Sequence, residues 1–212
     1  MPHTLTTILE SGVIAIIRAD APGGLVQAGR ALARGGVKAV EVTMTTPGAL
    51  DAVGGLCAES GGEFIVGAGS VLDAETARAC ILAGAEFLVM PTTDTDAIEV
   101  ARRYSKVVCP GGLSPTEVIT AWEAGADIVK VFPASLGGPP YLKALKGPLP
   151  QVRLMPVGGV GPDNAADYVS AGACAVACGS SLVNAERLGA RDWDAIAEAA
   201  GRTVRAVESA RK

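Results

Sequence analysis

A lysine lies inside an apolar segment of the sequence, where its amine could act as a nucleophile. Residues 128–133 are Ile-Val-Lys-Val-Phe-Pro, and alternation along a strand would place Lys130 on the face opposite Val129 and Val131. Burial lowers the pKa of a lysine because it disfavours the charged form, and a neutral amine attacks ketones to form a Schiff base. A structural ion pair, or a side chain that reaches the rim of the fold, would explain this segment equally well.

A glutamate in a second apolar segment supplies a partner for this lysine. In residues 39–43, Ala-Val-Glu-Val-Thr, the two valines share one face and leave Glu41 and Thr43 on the other. Because a buried ion pair adds little net stability, two titratable groups that converge in one place favour a catalytic role over a structural one. We expect Glu41 to transfer protons to and from the bound substrate.

Two glycine-containing segments predict a binding site for a phosphate group. Residues 157–160 are Val-Gly-Gly-Val and precede a helix that opens at Pro162, and residues 178–181, Cys-Gly-Ser-Ser, end a later apolar run. Backbone amides in such loops and at helix N-termini bind phosphate. Arg18 follows the apolar run 13–17 and is the candidate for positive charge beside an anionic substrate, with an ordinary surface arginine as the alternative.

Composition excludes several other kinds of chemistry. The single histidine, His3, lies close to the N-terminus, which excludes a three-histidine metal site and a Ser–His or Cys–His nucleophile pair. We therefore expect a reaction that needs neither a metal nor an organic cofactor. Two tryptophans, three tyrosines and three phenylalanines offer little stacking surface for bases, and the formal net charge of −4 repels a phosphate backbone, so we predict no nucleic-acid partner.

The cysteines and the short apolar runs predict a soluble, cytoplasmic protein with no membrane partner. The N-terminal apolar run is far shorter than the roughly 20 residues of a membrane helix, and we expect no signal peptide. The five cysteines are scattered and form no CxxC motif. We interpret them as small buried hydrophobic residues in a reducing compartment.

Eight short apolar segments alternate with helical segments, and these elements must position the candidate side chains. The predicted helices include 73–83, 116–124 and 162–171, and Asp73, Asp94 and Ser114 are predicted N-caps. The pattern is typical of a parallel sheet covered by helices. The predicted strands are 13–17, 39–43, 64–66, 87–90, 107–109, 128–132, 154–157 and 175–177.

This alternation predicts an α/β fold, and specifically a compact (β/α)₈ TIM barrel that forms a single domain over residues 1–212. An open doubly wound sheet is the alternative. Active sites of such barrels lie at the C-terminal ends of the strands. The candidate lysine, glutamate, arginine and glycine loops all lie at such ends, and we expect them to share one cavity.

These residues lie in sequence strings that resemble the 2-keto-3-deoxy-6-phosphogluconate (KDPG)/4-hydroxy-2-oxoglutarate (KHG) aldolase family. The matching strings span roughly residues 12–184 in the family's order: GGVKAVEVT, VGAGSVL, PGGLSPTEV, AGADIVKVFPA, KALKGPLPQVRLMPVGGV and GSSLV. The resemblance implies a homotrimeric (β/α)₈ class I aldolase that splits a phosphorylated keto sugar acid into pyruvate and an aldehyde. KDPG is the predicted substrate and KHG a second one.

The resemblance also implies roles for individual residues. Lys130 is the Schiff-base lysine and Glu41 the general acid/base by this comparison. Phe132 and Pro91 would line the pyruvate pocket, and Ser70 lies where the family usually has a threonine near the pyruvate carboxylate. The phosphate group would be held by Gly158, Gly159, Gly179 and Ser180.

Three positions depart from the most common family pattern. Thr45 stands where many members have an arginine, and Arg18 matches members that carry an arginine at the end of the first strand instead. Ser70 retains the hydroxyl of the usual threonine. Val157 stands where gluconate-specific members usually have a threonine. Valine occurs there in the branch that acts on 2-keto-3-deoxy-6-phosphogalactonate, and this compound is therefore an alternative substrate. There are two further alternatives. One is a phosphate-binding barrel of another reaction type, namely an isomerase or synthase, and the other is a non-catalytic sensor.

Overall fold

The computed structural model describes residues 3–21 and 23–212, in which helices and strands alternate. The first half contains α1 (His3–Ser11), β1 (Val13–Ile17), α2 (Leu25–Arg34), β2 (Ala39–Thr43), α3 (Ala49–Glu59), β3 (Ile65–Gly69), α4 (Ala74–Leu82), β4 (Phe87–Val89) and α5 (Thr95–Arg103). The second half contains β5 (Val107–Cys109), β6 (Gly111–Gly112), α6 (Pro115–Glu123), β7 (Val129–Val131), a short 3₁₀ helix (Ala134–Leu136), α7 (Gly138–Lys146), β8 (Leu154–Pro156), α8 (Ala165–Ser170), β9 (Val176–Cys178), α9 (Ala185–Ala190) and α10 (Trp193–Ala210).

The strands form two parallel sheets. The larger sheet has six strands in the order β5-β4-β3-β2-β1-β9, and the smaller has three in the order β6-β7-β8. Every strand pair between named strands in the described part of the chain is parallel. This arrangement, with a curled parallel sheet, confirms the α/β part of the predicted fold.

Alternation along the strands separates two hydrophobic cores. Val40, Val42, Val129 and Val131 belong to the larger core, which also contains the buried faces of the helices. The smaller core is formed by the opposite strand face, and residues from α1 pack into it. Its members include Ile14, Ile65, Ile128, Met155, Leu5 and Ile8. The predicted orientation of the valines in segments 39–43 and 128–132 is confirmed. Glu41 and Lys130 therefore lie on the opposite strand face.

Proline separates β5 from β6. Pro110 has no N–H to continue a ladder, and β6 pairs only with β7. A Cβ on Gly111 would collide with the carbonyl group of Pro91. Glycine at this position therefore allows the segment after β4 to approach β6 closely.

The predicted helix N-caps are confirmed by side-chain contacts. The Asp73 carboxylate accepts a hydrogen bond from the Thr76 amide at 2.6 Å, and the Asp94 carboxylate accepts one from the Ala97 amide at 2.7 Å. Ser114 forms the predicted capping box with the helix residue three positions later. These caps fix where α4, α5 and α6 begin, because each satisfies a backbone amide that has no partner within the helix.

The last helix, α10, is 18 residues long. Asp192 caps it by accepting a hydrogen bond from the Ala195 amide at 2.9 Å, and its buried face packs against α2 and α8. No helix among the described residues is long and apolar enough to cross a membrane.

Candidate active site

A cavity of about 640 Å³ opens beside the C-terminal ends of the strands. Most of the predicted site residues line it: Arg18, Glu41, Lys130, Phe132, Val157, Gly158, Gly159, Gly179 and Ser180. Ser70 and Pro91 lie outside that lining. Ser70 directly follows β3, and Pro91 lies two residues beyond β4, at the same edge of the sheet.

Lys130 is held on the middle position of β7 and is buried, with 6% of its surface exposed. Its Nζ lies 4.8 Å from the centroid of the Phe132 ring. Burial lowers the pKa of Lys130 below its ordinary value, the Glu41 carboxylate opposes this, and the positive charge of Arg18 adds to the lowering. The neutral, nucleophilic amine is therefore reached at a lower pH than for an exposed lysine.

Glu41 lies on β2 and is 1% exposed. Its carboxylate packs against Gly69. A Cβ on residue 69 would collide with Oε1 of Glu41. Burial raises the pKa of Glu41, whereas the positive charges of Lys130 and Arg18 lower it. Among the described residues, Oε2 has no hydrogen-bond partner, so a buried acceptor remains available to a ligand or a water molecule.

These opposite shifts suit the two groups to proton transfer. Burial moves the pKa of Lys130 down and that of Glu41 up, so the two values approach each other. An amine and a carboxyl in this state can exchange a proton through a bound ligand at modest cost. The geometry therefore supports nucleophilic attack by the lysine with acid–base assistance from the glutamate.

The two glycine loops form another part of the cavity wall. Gly158 and Gly159 have φ angles of 93° and 75°, which side-chain-bearing residues rarely adopt. Ser181 joins the loops by donating a hydrogen bond from Oγ to the Val160 carbonyl at 2.7 Å. Within the described chain, the amides of Gly158, Gly159 and Ser180 donate no hydrogen bond, which leaves them available to an anionic group.

The cavity also contains polar residues that the sequence did not single out. Asn164 holds the first loop, because its side chain accepts a hydrogen bond from the Gly161 amide and donates one to the Gly159 carbonyl, both at 2.9 Å. Its position before a helix is the signal that could have identified it. Asp20 lies in an irregular segment after β1, where no periodic pattern identifies cavity residues. The additional lining residues include Asp20, Asn164 and Asn184.

Comparison with known proteins adds independent findings. The family model described as KDPG and KHG aldolase matches residues 5–199. The chain is 36% identical over 174 residues to the 2-dehydro-3-deoxy-6-phosphogalactonate aldolase of Escherichia coli K12, covering 82% of this chain and 85% of that protein. It is 35% identical over 200 residues to the KHG/KDPG aldolase of the same strain, covering 93% of each.

A solved structure shows the same similarity in three dimensions. It is the KDPG aldolase from Legionella pneumophila, described as containing pyruvate captured at low pH as a covalent carbinolamine intermediate. The TM-score is 0.87 at 28% sequence identity, and the match covers 95% of this chain and 98% of the other.

Proposed function

Because the chain belongs to the KDPG and KHG aldolase family, it is a carbon–carbon lyase, and we propose that it cleaves KDPG to pyruvate and glyceraldehyde 3-phosphate by Schiff-base catalysis. Cleavage of KHG to pyruvate and glyoxylate is the second proposed reaction. The observation that carries the proposal is the placement of two buried groups, Lys130 and Glu41, in one cavity with unused glycine-loop amides.

We propose that the two sheets together form a single (β/α)₈ barrel domain over residues 1–212, with β5 and β6 as one strand interrupted at Pro110. Contacts at both junctions between the sheets support this. At one junction, the Lys130 amide donates a hydrogen bond to the Pro110 carbonyl at 2.8 Å. At the other junction, Val157 pairs with Ala177 in a parallel bridge.

The first chemical step in this proposal joins the substrate to Lys130. The neutral amine attacks the C2 ketone, and the resulting carbinolamine loses water to become an iminium ion. Glu41 gives a proton to the departing hydroxyl group. Its raised pKa favours this donation, and its unpartnered oxygen provides the place from which the proton is transferred.

The second step breaks the bond between C3 and C4. The Glu41 carboxylate removes the proton from the C4 hydroxyl, the C4 carbonyl forms, and the electron pair of the C3–C4 bond moves into the iminium to give an enamine. The aldehyde product leaves. Protonation of the enamine at C3 and hydrolysis of the imine then release pyruvate and restore the Lys130 amine.

The remaining site residues are proposed to hold the two ends of the substrate. The amides of Gly158, Gly159, Gly179 and Ser180 would bind the phosphate, with Arg18 adding positive charge. Phe132, whose ring lies beside the Lys130 amine, would form one wall for the pyruvate portion. Ser70 and Pro91 are assigned to that portion by family resemblance.

A second candidate substrate is 2-keto-3-deoxy-6-phosphogalactonate, which differs from KDPG in the configuration at C4. Val157 lines the cavity where gluconate-specific members usually have a threonine, and Arg18 also lies in the lining. Loss of the threonine hydroxyl removes one hydrogen-bonding group that could distinguish the two C4 configurations. One named relative from Escherichia coli is a phosphogalactonate aldolase.

Aldol addition of pyruvate to glyceraldehyde 3-phosphate tests both candidates in one reaction. We expect an addition product with mainly the gluconate configuration at C4, determined by chromatography against standards of both epimers. An excess of the galactonate epimer would favour the second candidate. No product of either configuration would contradict the proposed function and favour a barrel of another reaction type.

The Gly159→Ala variant tests the phosphate assignment. The new Cβ would lie 2.9 Å from the Ser135 Cβ, at a backbone angle that disfavours alanine by about 1–2 kcal/mol. We expect the KM for KDPG to rise about tenfold because the loop must shift. The KM for KHG, which lacks a phosphate, should change less than about twofold, since no loop contact is lost.

The matched control for this prediction is Gly189→Ala. Gly189 lies in α9, and its Cβ would meet no atom within 4 Å. Steady-state kinetics of both variants with both substrates checks the prediction. Equal increases of KM for KDPG and KHG in Gly159→Ala would contradict a phosphate-specific role of the loop.

We further propose that the protein acts in the cytoplasm as a homotrimer, without nucleic-acid or membrane partners. All five cysteines are free, which is consistent with a reducing compartment. The trimeric assembly rests on the resemblance to the family.

A further inference from the structure

Three threonine hydroxyl groups cluster at the end of β2, and one of them, on Thr46, contacts the loop that follows β1. Thr43 Oγ1 lies 3.0 Å from Thr45 Oγ1 and 3.2 Å from Thr46 Oγ1. Thr46 Oγ1 accepts a hydrogen bond from the Ala19 amide at 3.2 Å. Thr43 and Thr46 are only 1% and 3% exposed, so these hydroxyl groups are largely shielded from solvent.

The contact with Ala19 extends the connection between β1 and β2 past the end of their ladder. The last ladder pair is Ile17 with Val42, and α2 begins only at Leu25. The Thr46 hydroxyl therefore holds the first part of an irregular loop, directly after the sheet has ended.

The residue next to this contact is Arg18, which lines the cavity together with Glu41 and Lys130. No hydrogen bond or ion pair links the guanidinium of Arg18 to another described residue. The backbone sets the point from which this side chain reaches the cavity, and Ala19 is the next residue at which that backbone is held.

We propose that Thr46 is a positioning residue, whose hydroxyl holds the Ala19 amide and thereby keeps Arg18 directed at the anionic substrate. This inference rests on the proposed function of the cavity. Without the hydroxyl, the Ala19 N–H loses its acceptor and the loop gains freedom. Arg18 then spends less time beside the substrate, and substrate affinity falls.

The Thr46→Val variant removes the hydroxyl at almost constant volume. We expect the KM for KDPG to rise about fivefold and kcat to stay within about twofold, since the reacting groups Lys130 and Glu41 are unaltered. Thr46→Ser keeps the hydroxyl and should restore the wild-type KM. Thr45→Val is the matched control, because it removes a hydroxyl that contacts Thr43 but not Ala19.

A double-mutant cycle with Arg18→Ala separates positioning from general support of the fold. If Thr46 acts through Arg18, adding Thr46→Val to Arg18→Ala should change KM less than about twofold. An equal increase of KM in both backgrounds would overturn the proposal, as would a fall in kcat without a change in KM. Should Thr46→Val not fold, the same cycle with Thr46→Ala decides the question by the same criteria.

Trapping with borohydride distinguishes failure of this proposal from failure of the proposed function. With pyruvate present, wild type and Thr46→Val should both form a reduced adduct on Lys130, because the hydroxyl chain does not touch the amine. Adducts in both proteins together with an unchanged KM would overturn only the role of Thr46. Absence of the adduct from the wild type would overturn the proposed function, and the positioning role with it.

Discussion

Replacing Lys130 with arginine is expected to abolish cleavage of KDPG, although the positive charge is kept. A guanidinium remains protonated and does not form an imine, so the electrons of the C3–C4 bond have no acceptor. We expect kcat to fall by about 10⁵-fold or to the background rate. This is the order of the rate advantage that a reactive group held in position has over the same group free in solution.

The measurement combines kinetics with borohydride trapping of pyruvate. Mass spectrometry of peptides should find a reduced pyruvate adduct on Lys130 in the wild type and none in Lys130→Arg. Lys143→Arg is the matched control, because Lys143 is exposed in the last turn of α7 and lies outside the cavity lining. Both adduct formation and turnover should be unchanged in this control.

Two results would contradict the Schiff-base assignment. One is retained turnover in Lys130→Arg, which would favour an isomerase or synthase that needs only charge at this position. The other is an undiminished adduct in that variant, which would place the imine on a different lysine. Binding of a sugar-acid phosphate without any turnover in the wild type would instead favour a non-catalytic sensor.

The central pair of the site was predictable because strands impose a strict alternation. Lys130 and Glu41 each lie between two valines that pack into the larger core, so both polar side chains point to the opposite strand face. The structure places both of them in the lining of one cavity. The glycine loops were predictable for a related reason. Their glycines follow apolar strand segments at the edge where parallel strands end.

Residues beyond the strand ends were harder to predict, because loops have no period from which orientation can be inferred. Ser70 and Pro91 follow β3 and β4 at the expected edge, yet they lie outside the cavity lining. Asp20 lines the cavity from an irregular loop and carried no signal. The contact between Thr46 and Ala19 joins residues 27 positions apart in two loops, and only the folded backbone brings them together.

The Glu41→Gln variant separates imine formation from carbon–carbon cleavage. Glutamine keeps the shape of the side chain but cannot take up the C4 hydroxyl proton, so we expect kcat to fall by about 10²–10⁴-fold. The Lys130 adduct with pyruvate should still form under borohydride trapping, although more slowly. Glu123→Gln, an exposed position at the end of α6, is the matched control.

The pH dependence of kcat gives this prediction a direction. In the cleavage step Glu41 acts as a carboxylate, and burial raises the pKa of this group. Where cleavage limits turnover, kcat should therefore increase as pH rises through a range above that of an ordinary carboxyl. Glu41→Gln should lose this increase, since no group at the position titrates. An unaltered pH profile in the variant would assign the proton transfer to another residue. Loss of both turnover and adduct would indicate that Glu41 is needed mainly for imine formation at Lys130 rather than for the cleavage step.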